Sequence, residues 1–188
     1  MTTDQLDRIV IRDVSVIDAT GREPEGRGDV LVEAGRIKAV GSVGQLAADV
    51  VEIDGAGTTL LPGLTDAHVH FALIGVKADH GSDTWIKHVL AVAEFIEGAL
   101  QEGFTTVRDA GGLEPAWAQA VADGAVAGPR ILPAGSPLSQ TGGHADDRQR
   151  HEALHHGQNI PGLAAGMEIT DGVDEVRRAA REQQRRGA

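Results

Sequence analysis

The chain has 188 residues, 41% of them apolar, enough for a packed core but with aromatics at only 3% and no Tyr, so that Val, Leu, Ile and Ala must fill it. Its formal charge of −11 argues against sequence-independent nucleic-acid binding, which depends on Lys and Arg neutralising phosphates. With no cysteine, disulfides and thiolate metal sites are excluded as well.

The N-terminal segment Met1–Asp7 is acidic and has no apolar h-region, so no signal peptide is expected. No uncharged apolar run reaches the roughly 20 residues that span a bilayer. A cytoplasmic location with no membrane partner is the expectation. Residues 8–61 read as short strands. Arg8–Asp18 has period-2 apolar stretches and ends at Ala19-Thr20-Gly21. Asp29–Glu33 and Arg36–Val40 flank Ala34-Gly35 as a hairpin, and Val50–Asp54 and Thr58–Leu61 follow. This predicts a small all-β unit.

After Pro62-Gly63 the texture changes to alternating strands and helices. Leu64–Phe71 is a strand carrying two histidines. Ser82 or Asp83 caps a predicted helix with Trp85, Val89, Val92, Ile96 and Leu100 at helical spacing, stopped by Gly103. Phe104–Arg108 is a second strand, Glu114–Ala122 a second helix and Pro129–Ala134 a third strand. A long irregular segment, about 135–170, contains His144, Asp146, Asp147, His151, His155 and His156. Thr170 or Asp171 caps a last helix, Val173–Arg186, stopped by Gly187. Strand–helix alternation of this kind implies a parallel sheet, and the long connection after the third strand points to a functional segment.

The chemistry concentrates in Leu61-Pro62-Gly63-Leu64-Thr65-Asp66-Ala67-His68-Val69-His70. Alternate side chains of a strand share a face, which groups Asp66, His68 and His70. Two neutral imidazoles on one strand make a divalent-metal half-site, and a nearby carboxylate can orient them. The bland alternative is two hydrogen-bonded histidines at a strand end. His151, His155 and His156 read as a polar loop rather than a site. Arg108-Asp109 reads as a structural ion pair before a pocket lining, and the arginines of the last helix as its solvated face.

This segment closely resembles the opening signature of the amidohydrolase superfamily, metal-dependent hydrolases built on a (β/α)8 barrel. Other stretches are similar in the same order: Gly103–Gly112 to the second barrel strand, and Gly128–Ile131, Ser136–Asp146 and Asp171–Ala179 to the branch of imidazolonepropionase-like and prolidase-like proteins. The resemblance implies an α/β fold: an incomplete TIM (β/α)8 barrel of about three strand–helix units over residues 63–188. Ahead of it, residues 1–62 would be the N-terminal part of an accessory β-sandwich.

It further implies that His68 and His70 are metal ligands, with zinc the first expectation for one or two ions, and that His144 contacts substrate from a Gly-His-x-Asp loop, the equal alternative for His144 being a solvated loop histidine. No catalytic residue is assigned within this chain, because the family's bridging lysine, later histidines and late aspartate have no matching positions. Lys77 and Lys87 are the only lysines after the histidine strand, and neither matches. The expected function is thus the N-terminal portion of a hydrolase cleaving an amide or peptide C–N bond in a dipeptide or cyclic amide, using metal-activated water and inactive without its other half. Three strands cannot close a barrel, and an open edge invites association. The expected partner is therefore a C-terminal barrel half or a second copy of the chain, besides a small-molecule substrate. The alternative is a non-catalytic truncated remnant or assembly module.

Overall fold

The computed structural model describes residues 8–21, 26–46, 49–73, 84–144, 146, 148 and 166–188. The chain divides into two compact units, Met1–Pro62 and Gly63–Ala188. The capping residues Ser82 and Asp83, the side chain of Trp85, Lys77, Asp147, His151, His155 and His156 lie outside the described residues.

The first unit is a five-stranded mixed sheet. Strands β1 (Arg8–Val16), β2 (Arg27–Glu33), β3 (Arg36–Gly41), β4 (Val51–Asp54) and β5 (Thr59–Leu60) follow in chain order. The expected hairpin is present, β2 pairing antiparallel with both β1 and β3, while β4 and β5 run parallel to β1. Val10, Val14, Val30 and Leu31 are buried. Arg12 ties the sheet together, donating to Asp29 at 2.8 Å, to the Val43 carbonyl at 2.6 Å and to Glu52 at 2.9 Å.

The second unit is built on a three-stranded parallel sheet, β6 (Leu64–Val69), β7 (Phe104–Asp109) and β8 (Arg130–Pro133), in the order β6-β7-β8. Helices α1 (Thr84–Gln101) and α2 (Ala116–Ala122) make the crossovers that parallel strands require. The core contains Phe71, Val92, Ile96, Val107, Leu113, Trp117 and Ile131. Val92 and Ile96 of α1 are one helical turn apart on the face turned inward, and Phe71 meets Phe95 edge to face, ring centres 5.4 Å apart. Leu100, expected on the same stripe, is 37% exposed.

Two short strands lie within residues 135–170, where the sequence predicts none. Leu138–Ser139 (β9) pairs in parallel with Glu168–Ile169 (β10). Helix α3 (Gly172–Arg186) follows, with Gly187 in the left-handed region at its end. Its N-cap residue Asp171 does not cap with its side chain; the main-chain N–H of Asp171 instead donates to Glu175 at 2.8 Å. Only Ala179 and Gln183 of α3 are buried. Arg177, Arg178, Arg181 and Arg185 are exposed as expected, while Arg186 is half-buried against Glu114. Among the described residues, no helix is long and apolar enough to cross a membrane.

Candidate metal centre

Register decides where the histidines point. Along β6, Leu64 pairs with Phe104 but Thr65 pairs with Thr106, which leaves Thr105 as an extra residue in β7. Farther on, Asp66 pairs with Val107 and Val69 with Asp109, so three steps of β6 match two of β7. This second irregularity is a bulge at Ala67–His68, and a bulge re-aims the side chains beyond it.

The bulge separates Asp66 from the histidines. Asp66 lines a groove with Val69, Phe71, Phe95, Phe104 and Val107 on the side of α1, and is not the imidazole partner that simple alternation suggested. Its carboxylate accepts the main-chain N–H of His68 at 2.9 Å. That bond satisfies a donor which the bulge takes out of the ladder.

His68 and His70 are brought together. Their rings stand edge to face, centres 5.1 Å apart, His68 exposed and His70 half-buried. The ring of His70 is anchored from the neighbouring strand's end, Nδ1 lying 2.8 Å from the carbonyl oxygen of Gly111. A carbonyl can only accept, so Nδ1 carries the proton and Nε2 is left with a free lone pair. This is the arrangement in which an outer hydrogen bond orients a metal-binding imidazole.

The Gly111 carbonyl is available because of the backbone around it. Gly111 has φ +140° and Gly112 φ +99°, and a Cβ on Gly111 would come within 2.6 Å of Pro137. Ala110 N–H donates to Val69 at 2.8 Å and Gly112 N–H to Gly135 at 2.9 Å, which locks the turn between β6 and β8.

Asp109 ends β7 and is fully buried. Its carboxylate accepts three main-chain N–H groups, from Phe71 at 2.9 Å, Gly111 at 3.0 Å and Leu113 at 3.4 Å. Burial pushes its carboxyl above the ordinary aspartate range, and those amide bonds pull the other way. The expected ion pair with Arg108 is not what holds it: adjacent residues of a strand face opposite ways, and Arg108 is exposed. Sequence reading missed this role because the three amides belong to segments brought together only by folding.

His144 is exposed, next to a turn in which the Gly143 N–H donates to the Gln140 carbonyl at 2.8 Å. Around it, Asp171 accepts Thr141 N–H at 3.0 Å and Thr141 Oγ1 at 2.5 Å, and Asp146 accepts Gly142 N–H at 2.7 Å and Arg148 at 2.5 Å. These bonds hold both carboxyls below their usual range, foremost the Arg148 bond at Asp146 and the Thr141 hydroxyl at Asp171. No hydrogen bond or ring contact joins His144 to His68 or His70 among the described residues. Lys87 is exposed on α1. Among the described residues, no group of three or more His, Asp or Glu is arranged to hold a metal. The donor set, two adjacent imidazoles of which His70 has its Nδ1 held by Gly111, fits two nitrogen ligands of a metal site.

Residues 59–188 match the sequence pattern of the amidohydrolase family. The chain is 38% identical over 144 residues to ochratoxinase of Aspergillus niger, a match covering 69% of this chain and 29% of that one. Among solved structures it is similar to a prolidase complexed with N-methylphosphonate-L-proline, with TM-score 0.82, 34% identity, and coverage of 96% of this chain and 45% of that one. It is likewise similar to a Xaa-Pro dipeptidase with methionine bound in the active site, with TM-score 0.74, 26% identity, and coverage of 96% and 45%. The chain thus spans under half the length of these proteins.

Proposed function

Since the chain belongs to the amidohydrolase family, we propose that it forms the N-terminal part of a metal-dependent hydrolase of amide or peptide C–N bonds, with a dipeptide or related small amide as substrate. In this reading β6, β7 and β8 are the first three strands of a (β/α)8 barrel, and the sheet of the first unit is part of an accessory β-sandwich. The similar proteins, an ochratoxinase and prolidase-type dipeptidases, support the amide-cleaving class.

The observation that carries the reading is the His68–His70 pair at the C-terminal end of the first parallel strand, with Nε2 of His70 freed by its bond to Gly111. The C-terminal ends of parallel strands are where such barrels keep their active sites. His68 and His70 would hold the ion through ring nitrogens. A divalent ion held there, zinc in the first instance, supplies Lewis-acid polarisation of the scissile carbonyl and a water of lowered pKa. This chain's own part is to fix those two imidazoles, to keep the proton of His70 on Nδ1, and to offer His144 from the loop beyond β8 as a substrate contact. The further ligands and the proton-transfer group would come from the part that completes the barrel, or from a second copy.

One observation favours the alternative of a non-catalytic assembly module: among the described residues the ligand set stops at two. A single experiment separates the two readings. The intact protein is assayed against a panel of dipeptides and N-acyl amino acids before and after chelation, alongside His68→Ala. The proposal expects hydrolysis that chelation removes, zinc restores and His68→Ala abolishes. Hydrolysis untouched by His68→Ala, or none with the intact zinc-loaded protein, would overturn it.

A further inference from the structure

We infer that Asp109 is a positioning residue for His70, a single buried carboxylate that sets both the backbone and the ring of that histidine. The inference rests on the reading of His70 as a metal ligand, but its geometry stands without the metal.

Two points define where an imidazole nitrogen sits: the main chain that carries it and whatever holds the far side of the ring. Asp109 controls both. Oδ2 accepts the N–H of Phe71, the residue directly after His70, at 2.9 Å. Oδ1 accepts the N–H of Gly111 at 3.0 Å, and the carbonyl of that same Gly111 faces Nδ1 of His70 at 2.8 Å. The path from carboxylate to ring is therefore one residue long on each side.

The setting makes the carboxylate hard to replace. Asp109 is fully buried and so are Phe71, Val107 and Leu113, so bulk solvent does not reach the carboxylate that its three amides share. Gly111 and Gly112 sit at positive φ, a backbone with few intrinsic restraints of its own. Without an acceptor for the Gly111 N–H, that peptide is free to turn its carbonyl away from His70. Asparagine is close in shape but can accept with only one terminus, and would point an amide N–H at Phe71 or at Gly111. Loss of an outer partner of a metal-binding histidine typically weakens metal affinity about 10–100-fold.

The test has two readouts on the intact protein. The first needs no metal: nitrogen-15 NMR of the zinc-free wild type, at a pH where the ring is neutral, with the His70 signals identified by their absence in His70→Ala. The inference expects one tautomer, protonated at Nδ1. An Nε2-protonated ring, or an even mixture, overturns it, and this holds whether or not Asp109→Asn folds.

The second readout is Asp109→Asn. The inference expects a mixed tautomer at His70 and zinc affinity lowered about 10–100-fold in titration with zinc alone. A folded Asp109→Asn protein that keeps the Nδ1 tautomer and the wild-type zinc affinity overturns it. Failure of the underlying reading looks different, because zinc affinity would then be indifferent to His68→Ala and His70→Ala while the tautomer result stands.

Discussion

The imidazole of His70 and the carbonyl of Gly111 meet at 2.8 Å across the ends of adjacent strands. Because the oxygen has no proton to give, this contact selects the Nδ1-protonated form of His70 and turns Nε2 into the basic atom of the ring. His68, centred 5.1 Å away, is exposed and has no such anchor among the described residues. The two rings are thus unequal among the described residues: that of His70 has a main-chain partner, and that of His68 meets the His70 ring.

The entrance to the histidine strand depends on close backbone approach. A Cβ on Gly63 would lie 2.0 Å from Oγ1, 2.2 Å from Cγ2 and 2.6 Å from Cβ of Thr105, the extra residue of the first irregularity. Gly63→Ala is expected to destabilise the protein by about 1–3 kcal/mol through overpacking. Thr105→Gly, which removes the whole obstructing side chain, should cancel most of that penalty in a double-mutant cycle followed by urea denaturation. Full additivity of the two changes would contradict the contact.

Helix α3 is tied to the loop after β8 by one buried amide. Oε1 of Gln183 accepts the N–H of Ser136 at 2.9 Å, with both residues almost fully buried. Gln183→Leu keeps the apolar stem and leaves that N–H without its acceptor, a cost of about 1–3 kcal/mol. Gln183→Glu retains an acceptor at the same reach and is predicted to lose the Ser136 bond to a smaller degree in amide hydrogen exchange. Equal protection of the Ser136 amide in wild type and Gln183→Leu would contradict this.

Acidification should loosen the turn beside His144. The Asp171 carboxyl is held below its usual range, first by the Thr141 hydroxyl and next by the Thr141 N–H. For an acid whose folded pKa lies below its unfolded one, the unfolded chain binds the proton more readily, so its contribution is complete above the ordinary aspartate range and is lost as pH falls through the folded value. The stability difference between wild type and Asp171→Asn should accordingly be largest near neutrality and shrink toward pH 3. Thermal denaturation at a series of pH values measures it, and a difference that grows on acidification would refute the assignment.

Much of the second unit could be read from residues alone, because its signals are local. Val92 and Ile96 lie at helical spacing, and both turn inward. Phe104–Arg108 and Pro129–Ala134 are short segments between turn residues, and the strands β7 and β8 form there and pair in parallel. What escaped depends on partners distant in sequence. The bulge at Ala67–His68 exists only against β7, so strict alternation wrongly placed Asp66 beside the imidazoles. The acceptor role of Asp109 needs Phe71, Gly111 and Leu113 gathered around it. Strands β9 and β10 are two residues each, too short to carry a periodicity. The His-x-His spacing identified the pair, but only the fold shows which ring nitrogen is free.

Whether His68 and His70 are two ligands of one metal ion can be read by zinc-edge X-ray absorption on the intact zinc-loaded protein and on His68→Ala and His70→Ala. Imidazole nitrogens are expected at about 2.0–2.1 Å in the wild type. A loss of imidazole scattering, or of zinc altogether, is expected in each variant. A zinc environment that is unchanged in both variants would contradict it.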